Sequence, residues 1–164
     1  TTCRPMALDT LAAVEHQLGQ TLPSPKAMAL LGSGPTPTAT RDKLEEQKNQ
    51  LKDLLLNTPQ RDAQIAHLQG SHGLQAVPLI AAAAPEERAP LSDVIPLCEA
   101  EIVHAIKVEQ ARSSTDVLAR RCRLAMVDFA EAQRLEPLTE KHLAQSGLES
   151  AATSTSPMSH QLNP

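Results

Sequence analysis

Two carboxylates and three guanidiniums pose the first chemical question. Glu99 and Glu101 stand two residues apart in Cys98-Glu99-Ala100-Glu101, and Arg120, Arg121 and Arg123 crowd a single run. A general acid and its base must converge on one substrate atom, whereas helical side chains two apart point to nearly opposite sides. The glutamates are therefore read as structural, and no catalytic residue is assigned. One of them is expected to meet the arginines. Arg121 and Arg123 flank an apolar stripe, where an unpaired guanidinium is costly and a bidentate carboxylate is the usual remedy. Structural ion pairs among Glu99, Glu101, Arg120, Arg121 and Arg123 are the leading expectation, with anion or phosphate binding by the same arginines as the alternative.

Other reactive residue types are scattered. His16, His67, His72, His104, His142 and His160 form no i, i+4 pair and have no cysteine partner at metal-ligand spacing, so no metal site is expected. Gly32-Ser33-Gly34 is followed by Pro35 and by no strand–helix unit. It reads as a turn rather than a phosphate-binding loop. Thr1-Thr2-Cys3-Arg4 differs, because exposed N–H groups, two hydroxyls and a cation at a helix start can receive an anion or a polarised carbonyl. Cys3, Cys98 and Cys122 are odd in number and widely spaced, which argues for a reducing compartment and small apolar roles.

These groups must be positioned by helices. Of 164 residues 41% are apolar, yet Phe129 is the sole aromatic, and the core must come from Leu, Ala, Val, Ile and Met. That composition suits an all-α fold. A net charge of −4 with no aromatic platform excludes a typical nucleic-acid binder. The longest apolar run, Leu74 to Ala84, is too short and too interrupted to span a membrane. The start at Thr1 shows no leader and reads as a cut.

Apolar periodicity and breakers predict the helices. The first covers 1 to 20, capped by Thr1 or Thr2 and ended at Gly19; a Pro- and Ser-rich linker with a turn or short strand follows from 21 to 40. Helices are expected over Arg41–Leu56, over Gln60–Gln69 with Gly70 as its stop, and over Leu74–Ala84, then a loop over Pro85–Pro96. Leu97–Arg112 comes next. Ser113 and Asp116 approximate a capping box for a long helix that carries Leu118, Cys122, Ala125 and Phe129 on one stripe and stops at Pro137. Thr139–Gln145 is a further helical candidate, and residues 147 to 164 are expected to be disordered. No internal repeat is visible.

The run Cys98-Glu99-Ala100-Glu101-Ile102-Val103-His104-Ala105-Ile106-Lys107 is similar to a motif of the FAD-dependent glycerol-3-phosphate dehydrogenase family, a hydrophobic residue, Glu-Ala-Glu-Val, two residues and Ala-Val-Arg. Asp116-Val117-Leu118-Ala119-Arg120-Arg121-Cys122-Arg123-Leu124-Ala125 resembles the family's Asp-Val-Leu-Ala-Arg-Arg-Thr-Arg-Leu-Ala. Thr1-Thr2-Cys3-Arg4, with Met6-Ala7 and Asp9, resembles its Thr-Thr-Tyr-Arg and Met-Ala-x-Asp. The resemblance covers residues 1 to about 137. Cys3, Cys122 and His72 stand where the family commonly has Tyr, Thr and Tyr, and Ile95 and Leu97 stand where aromatics usually precede the Glu-Ala-Glu run.

The resemblance implies the C-terminal part of a flavoenzyme: residues 1–37 close the flavin domain and add a linker, 38–137 form an all-helical C-terminal domain, and 138–164 form a mostly disordered polar tail. It places Thr1 and Thr2 at a helix start facing FAD. It implies an upstream flavin domain as partner, oxidation of sn-glycerol 3-phosphate to dihydroxyacetone phosphate, and electron transfer to quinone. The Gly-rich dinucleotide unit is absent, so this chain alone is not expected to bind FAD, to catalyse, or to be more than marginally stable. Peripheral attachment to the mitochondrial inner membrane in a eukaryote, or to the cytoplasmic membrane in a bacterium, follows from the same likeness. No Asp-x-Asp-x-Asp-Gly calcium loop is present. The reading from another class is a noncatalytic helical interaction module derived from that family.

Overall fold

A computed structural model describes residues 2–23, 28 and 30–147. Among them lie seven α-helices: α1 (Cys3–Leu18), α2 (Pro37–Leu54), α3 (Arg61–His72), α4 (Ala76–Ala82), α5 (Glu99–Lys107), α6 (Leu124–Val127) and α7 (Phe129–Gln145). No strand occurs among the described residues, where β pairing is limited to an isolated bridge between Pro90 and Cys98. The fold is all-α, as the Leu- and Ala-rich composition requires.

Local chemistry sets the helix ends. Gly19 closes α1 in the left-handed conformation. α2 starts earlier than periodicity suggests, because Pro37 presets the first turn and the Thr36 hydroxyl accepts from the Ala39 N–H at 3.1 Å. α3 runs through Gly70 and stops at Gly73. Gly70 costs the helix about 1 kcal/mol relative to Ala, which burial of Ile65 and Leu68 outweighs. Gly73, at φ +55, meets Gly32, at φ +80, so closely that a Cβ on Gly73 would sit 2.3 Å from the Gly32 carbonyl oxygen. That oxygen accepts from the Leu74 N–H at 2.9 Å, stitching the linker to the end of α3. Glycine is required at this contact for space and for φ together.

Two clusters of buried side chains flank α5. Leu51, Leu55, Ile65, Leu68, Leu79 and Ile80 of α2 to α4 join Cys98 and Ala100 in one. Leu97, Ile102, Ile106, Val117, Leu118, Leu124, Leu135 and Leu143 build the other. Side chains tie the helices to neighbouring backbone: Gln69 Nε2 donates to Leu44 O at 2.6 Å and Gln47 Nε2 to Leu74 O at 2.9 Å. Arg88 donates to Ala83 O and Leu54 O, satisfying the C-terminal carbonyls of α4 and α2.

The second half departs most from the periodic reading. α5 has only nine residues, and the expected helix from Asp116 to Leu135 is divided. Asp116–Arg121 is a wide π turn, closed by Cys122 N–H on Val117 O at 3.0 Å; Arg123 then reverses the chain at φ +62. α6 is one turn, and Asp128 starts α7 by accepting from the Glu131 N–H. Phe129, expected on the apolar stripe, is 66% exposed for this reason. Pro137 does not end the helix: α7 continues to Gln145 because Ala132, Leu135, Thr139 and Leu143 share one buried face. Burial of that face outweighs one lost backbone hydrogen bond. The helical candidate Thr139–Gln145 is thus the second half of α7, continuous with the helix before Pro137. Residues 148–164 of the expected disordered stretch, and Ala27 and Ala29 of the apolar run Ala27–Leu31, lie outside the described residues.

α1 stands apart in character, since it buries none of its residues and leaves Met6, Leu8, Leu11, Val14 and Leu18 exposed. Among the described residues no helix is long and apolar enough to cross a membrane.

Candidate functional site

α5 turns its two first-turn glutamates in opposite directions. Glu99 accepts from His142 of α7 at 2.6 Å, and Glu101 faces His67 and His72 of α3 at 2.9 and 3.1 Å. Neither meets an arginine among the described residues. The correction is one of register: the π turn and the reversal at Arg123 carry the arginines away from the start of α5, and histidines fill both places.

Glu101 is the most connected side chain here. It is 7% exposed, and besides both imidazoles it accepts from the Cys98 N–H at 2.9 Å, closing the first turn of α5. Burial alone would raise its pKa; hydrogen bonds from His67 and His72, and the charge of His67, overcome that and hold it at about 2. The adjacent Cys98 thiol is pushed up to about 12 by burial and then by the Glu101 charge. It is no nucleophile at neutral pH. Burial also raises Cys122, whose sulfur lies 3.4 Å from Leu118 O.

The arginines have local partners. Arg120 pairs with Asp116 one turn back at 2.5 Å, with its own side chain 70% exposed. Arg121 is the structural one: Nη2 donates to Glu109 O at 2.6 Å, Nη1 to Asp116 O at 3.0 Å, and Nε lies 3.3 Å from Glu109 Oε2. It clamps the loop after α5 to the π turn. Arg123 is exposed, with no ion pair found among the described residues. Ser113 Oγ accepts from the Asp116 N–H as a capping box requires, but the Asp116 carboxylate reaches the Arg112 N–H at 3.0 Å instead of Ser113, which depresses its pKa. Ser114 is held by α7, its hydroxyl donating to Glu136 at 2.9 Å.

A recess of about 750 Å³ joins these groups, with His67, His72, Glu101, Glu109, Arg121 and Arg123 among its lining. Sequence spacing missed one convergence at its edge, where His72 and Glu109 of the lining meet His104. Donor atoms of His72, at the end of α3, and of His104 and Glu109, five residues apart around the end of α5, lie within 4.8 Å of one another. The His72 and His104 rings meet edge to face at 5.5 Å, and burial followed by the His72 charge depresses the His104 pKa. No spacing rule reaches these residues, because His72 is 32 positions from His104 and only folding brings them together.

Thr1 lies outside the described residues, and Thr2, exposed at the start of α1, makes no side-chain capping bond. These residues do not fit a dinucleotide by themselves, since the described chain has no strand and hence no strand–glycine loop–helix cradle.

The model of one family, the C-terminal domain of alpha-glycerophosphate oxidase, matches residues 26–147. No curated protein and no solved structure matches the chain. The match spans α2 to α7 and both buried clusters, which makes the chain a member of the alpha-glycerophosphate oxidase C-terminal domain family, a helical domain of FAD-dependent oxidoreductases.

Proposed function

We propose that this chain is the helical C-terminal portion of an FAD-dependent glycerol-3-phosphate dehydrogenase. The intact enzyme oxidises the C2 alcohol of sn-glycerol 3-phosphate to dihydroxyacetone phosphate and delivers the electrons to quinone. The observation that carries the reading is the family match over residues 26–147, which contains both the Glu-Ala-Glu run and the Arg-Arg-Cys-Arg run. The apolar face of α1, left exposed among the described residues, supports docking against an upstream flavin domain. Thr1 and Thr2 would then face the flavin. FAD belongs to that domain, and the part played by the present residues is to pack against it and order its closing helix.

Peripheral membrane attachment, mitochondrial or bacterial, belongs to the same proposal; exposed Met126, Val127 and Phe129 offer apolar surface in keeping with it. The test is the protein encoded with its upstream flavin domain. Purified, it should be yellow and should reduce a soluble quinone when supplied with sn-glycerol 3-phosphate. A well-folded product without bound flavin overturns the reading, and one that carries flavin but oxidises another substrate overturns its finer half.

A further inference from the structure

We propose that His72, His104 and Glu109 form a binding site for one divalent transition-metal ion of the zinc class. This goes beyond the flavoenzyme reading and does not depend on it. Two imidazoles and a carboxylate are a donor set that suits zinc, whereas magnesium and calcium favour oxygen alone. His104 Nε2 and Glu109 Oε1 are 3.9 Å apart, and the donor atoms of all three residues lie within 4.8 Å. Ligands about 2.0–2.1 Å from a tetrahedral zinc sit roughly 3.3 Å from one another. Closing the set asks for shifts of up to about 1.5 Å between donor atoms, within the reach of side-chain rotation.

The surroundings hold each donor in place. Glu101 lies 3.1 Å from His72 Nε2, a carboxylate–histidine pairing that fixes the tautomer and leaves the other ring nitrogen with its lone pair. The Glu109 main chain is tied to the end of α5, because its N–H donates to the His104 carbonyl at 3.2 Å. Its carboxylate is shared by oxygen: Oε2 lies 3.3 Å from Arg121 Nε and Oε1 faces His104. The guanidinium lowers the affinity for a cation but orients the ligand. His72 and Glu109 both line the 750 Å³ recess, which gives the ion an entry path and a fourth position for water or an outside donor.

The test uses the 164-residue chain after dialysis against a chelator. Zn²⁺ is titrated against a chromophoric competitor, Co²⁺ serves as the visible-absorbing probe, and Mg²⁺ as the hard-cation control. One Zn²⁺ per chain is expected, with d–d absorption from Co²⁺ and no competition from Mg²⁺. His104→Gln, which leaves the Glu101 contacts intact, should weaken Zn²⁺ binding by at least about tenfold while helical circular dichroism is retained. Should that variant unfold, Glu109→Gln at a 40% exposed side chain gives the same reading. Absence of saturable Zn²⁺ binding overturns the proposal. So does binding that survives both substitutions, or binding abolished by His16→Gln on exposed α1.

Discussion

The two halves that α5 joins solve the same problem by different means. On the α2 to α4 side, ordinary helices with a proline start and a glycine stop bury Leu51, Leu68 and Ile80 completely. On the α5 to α7 side the chain uses a π turn, a left-handed arginine and a proline inside a helix, yet buries Leu97, Ile102 and Leu124 just as fully. Regular geometry is thus no precondition for a dry core. Charged side chains complete backbone ends on both sides: Arg88 takes the terminal carbonyls of α2 and α4, and the irregular side relies on Arg121 and Asp116. Arg121 holds two backbone carbonyls, and Asp116 holds one N–H.

The largest test of this contrast is Glu101→Ala, which strips the hub between α3 and α5. It leaves His67, His72 and the Cys98 N–H without their acceptor inside the fold, and a loss of about 3–5 kcal/mol is expected, read as the midpoint shift in urea. Hydrogen exchange should rise in α3 and α5 together; a rise confined to one half would show that Glu101 does not couple them. The same residue predicts acid sensitivity. Because the folded Glu101 pKa is depressed from 4.5 to about 2, its stabilisation is complete above pH 4.5 and is lost as pH falls through about 2. An acid titration followed by circular dichroism checks the window.

Arg121→Glu comes next, with a loss of about 2 kcal/mol because two carbonyls lose their donor and Glu109 gains a like charge. Exchange should rise over 109–123 while α2 and α3 stay protected, which sharpens the division between the halves. A smaller effect of opposite sign is expected for Arg123→Gly. Removing a Cβ at φ +62 relieves left-handed strain in an exposed residue and should add about 1 kcal/mol. Thiol labelling at pH 8 carries the smallest perturbation: exposed Cys3 should react first, Cys122 slowly, and Cys98 only on unfolding. Early labelling of Cys98 would show that the regular half opens locally.

The regular half was legible in advance because its signals are local. The apolar stripe Leu44, Leu51, Leu54 and Leu55 and the breakers at Thr58-Pro59 are properties of neighbouring residues. The second half departs from its periodic pattern where local and tertiary preferences disagree. Pro137 is a helix stop in isolation, and only the burial of Leu135, Thr139 and Leu143 against α5 carries α7 through it. The unbroken stripe through Phe129 looked equally sound, yet no periodicity shows that Arg121 can be satisfied by carbonyls at Glu109 and Asp116 once the chain turns.

The candidate site divides in the same way. That Glu99 and Glu101 serve opposite faces follows from a two-residue spacing on any α-helix, as it does here. The identity of their partners does not follow, because His67, His72 and His142 lie about 30 to 40 positions away and compete with three closer arginines. Sequence alone determined the helical class, the odd number and wide spacing of the cysteines and the family motifs, since composition and short-range spacing suffice for each. Tertiary structure alone decided which cation neutralises which carboxylate and where His72, His104 and Glu109 meet. Those choices depend on the direction in which distant helices present their side chains, and packing rather than spacing fixes that direction.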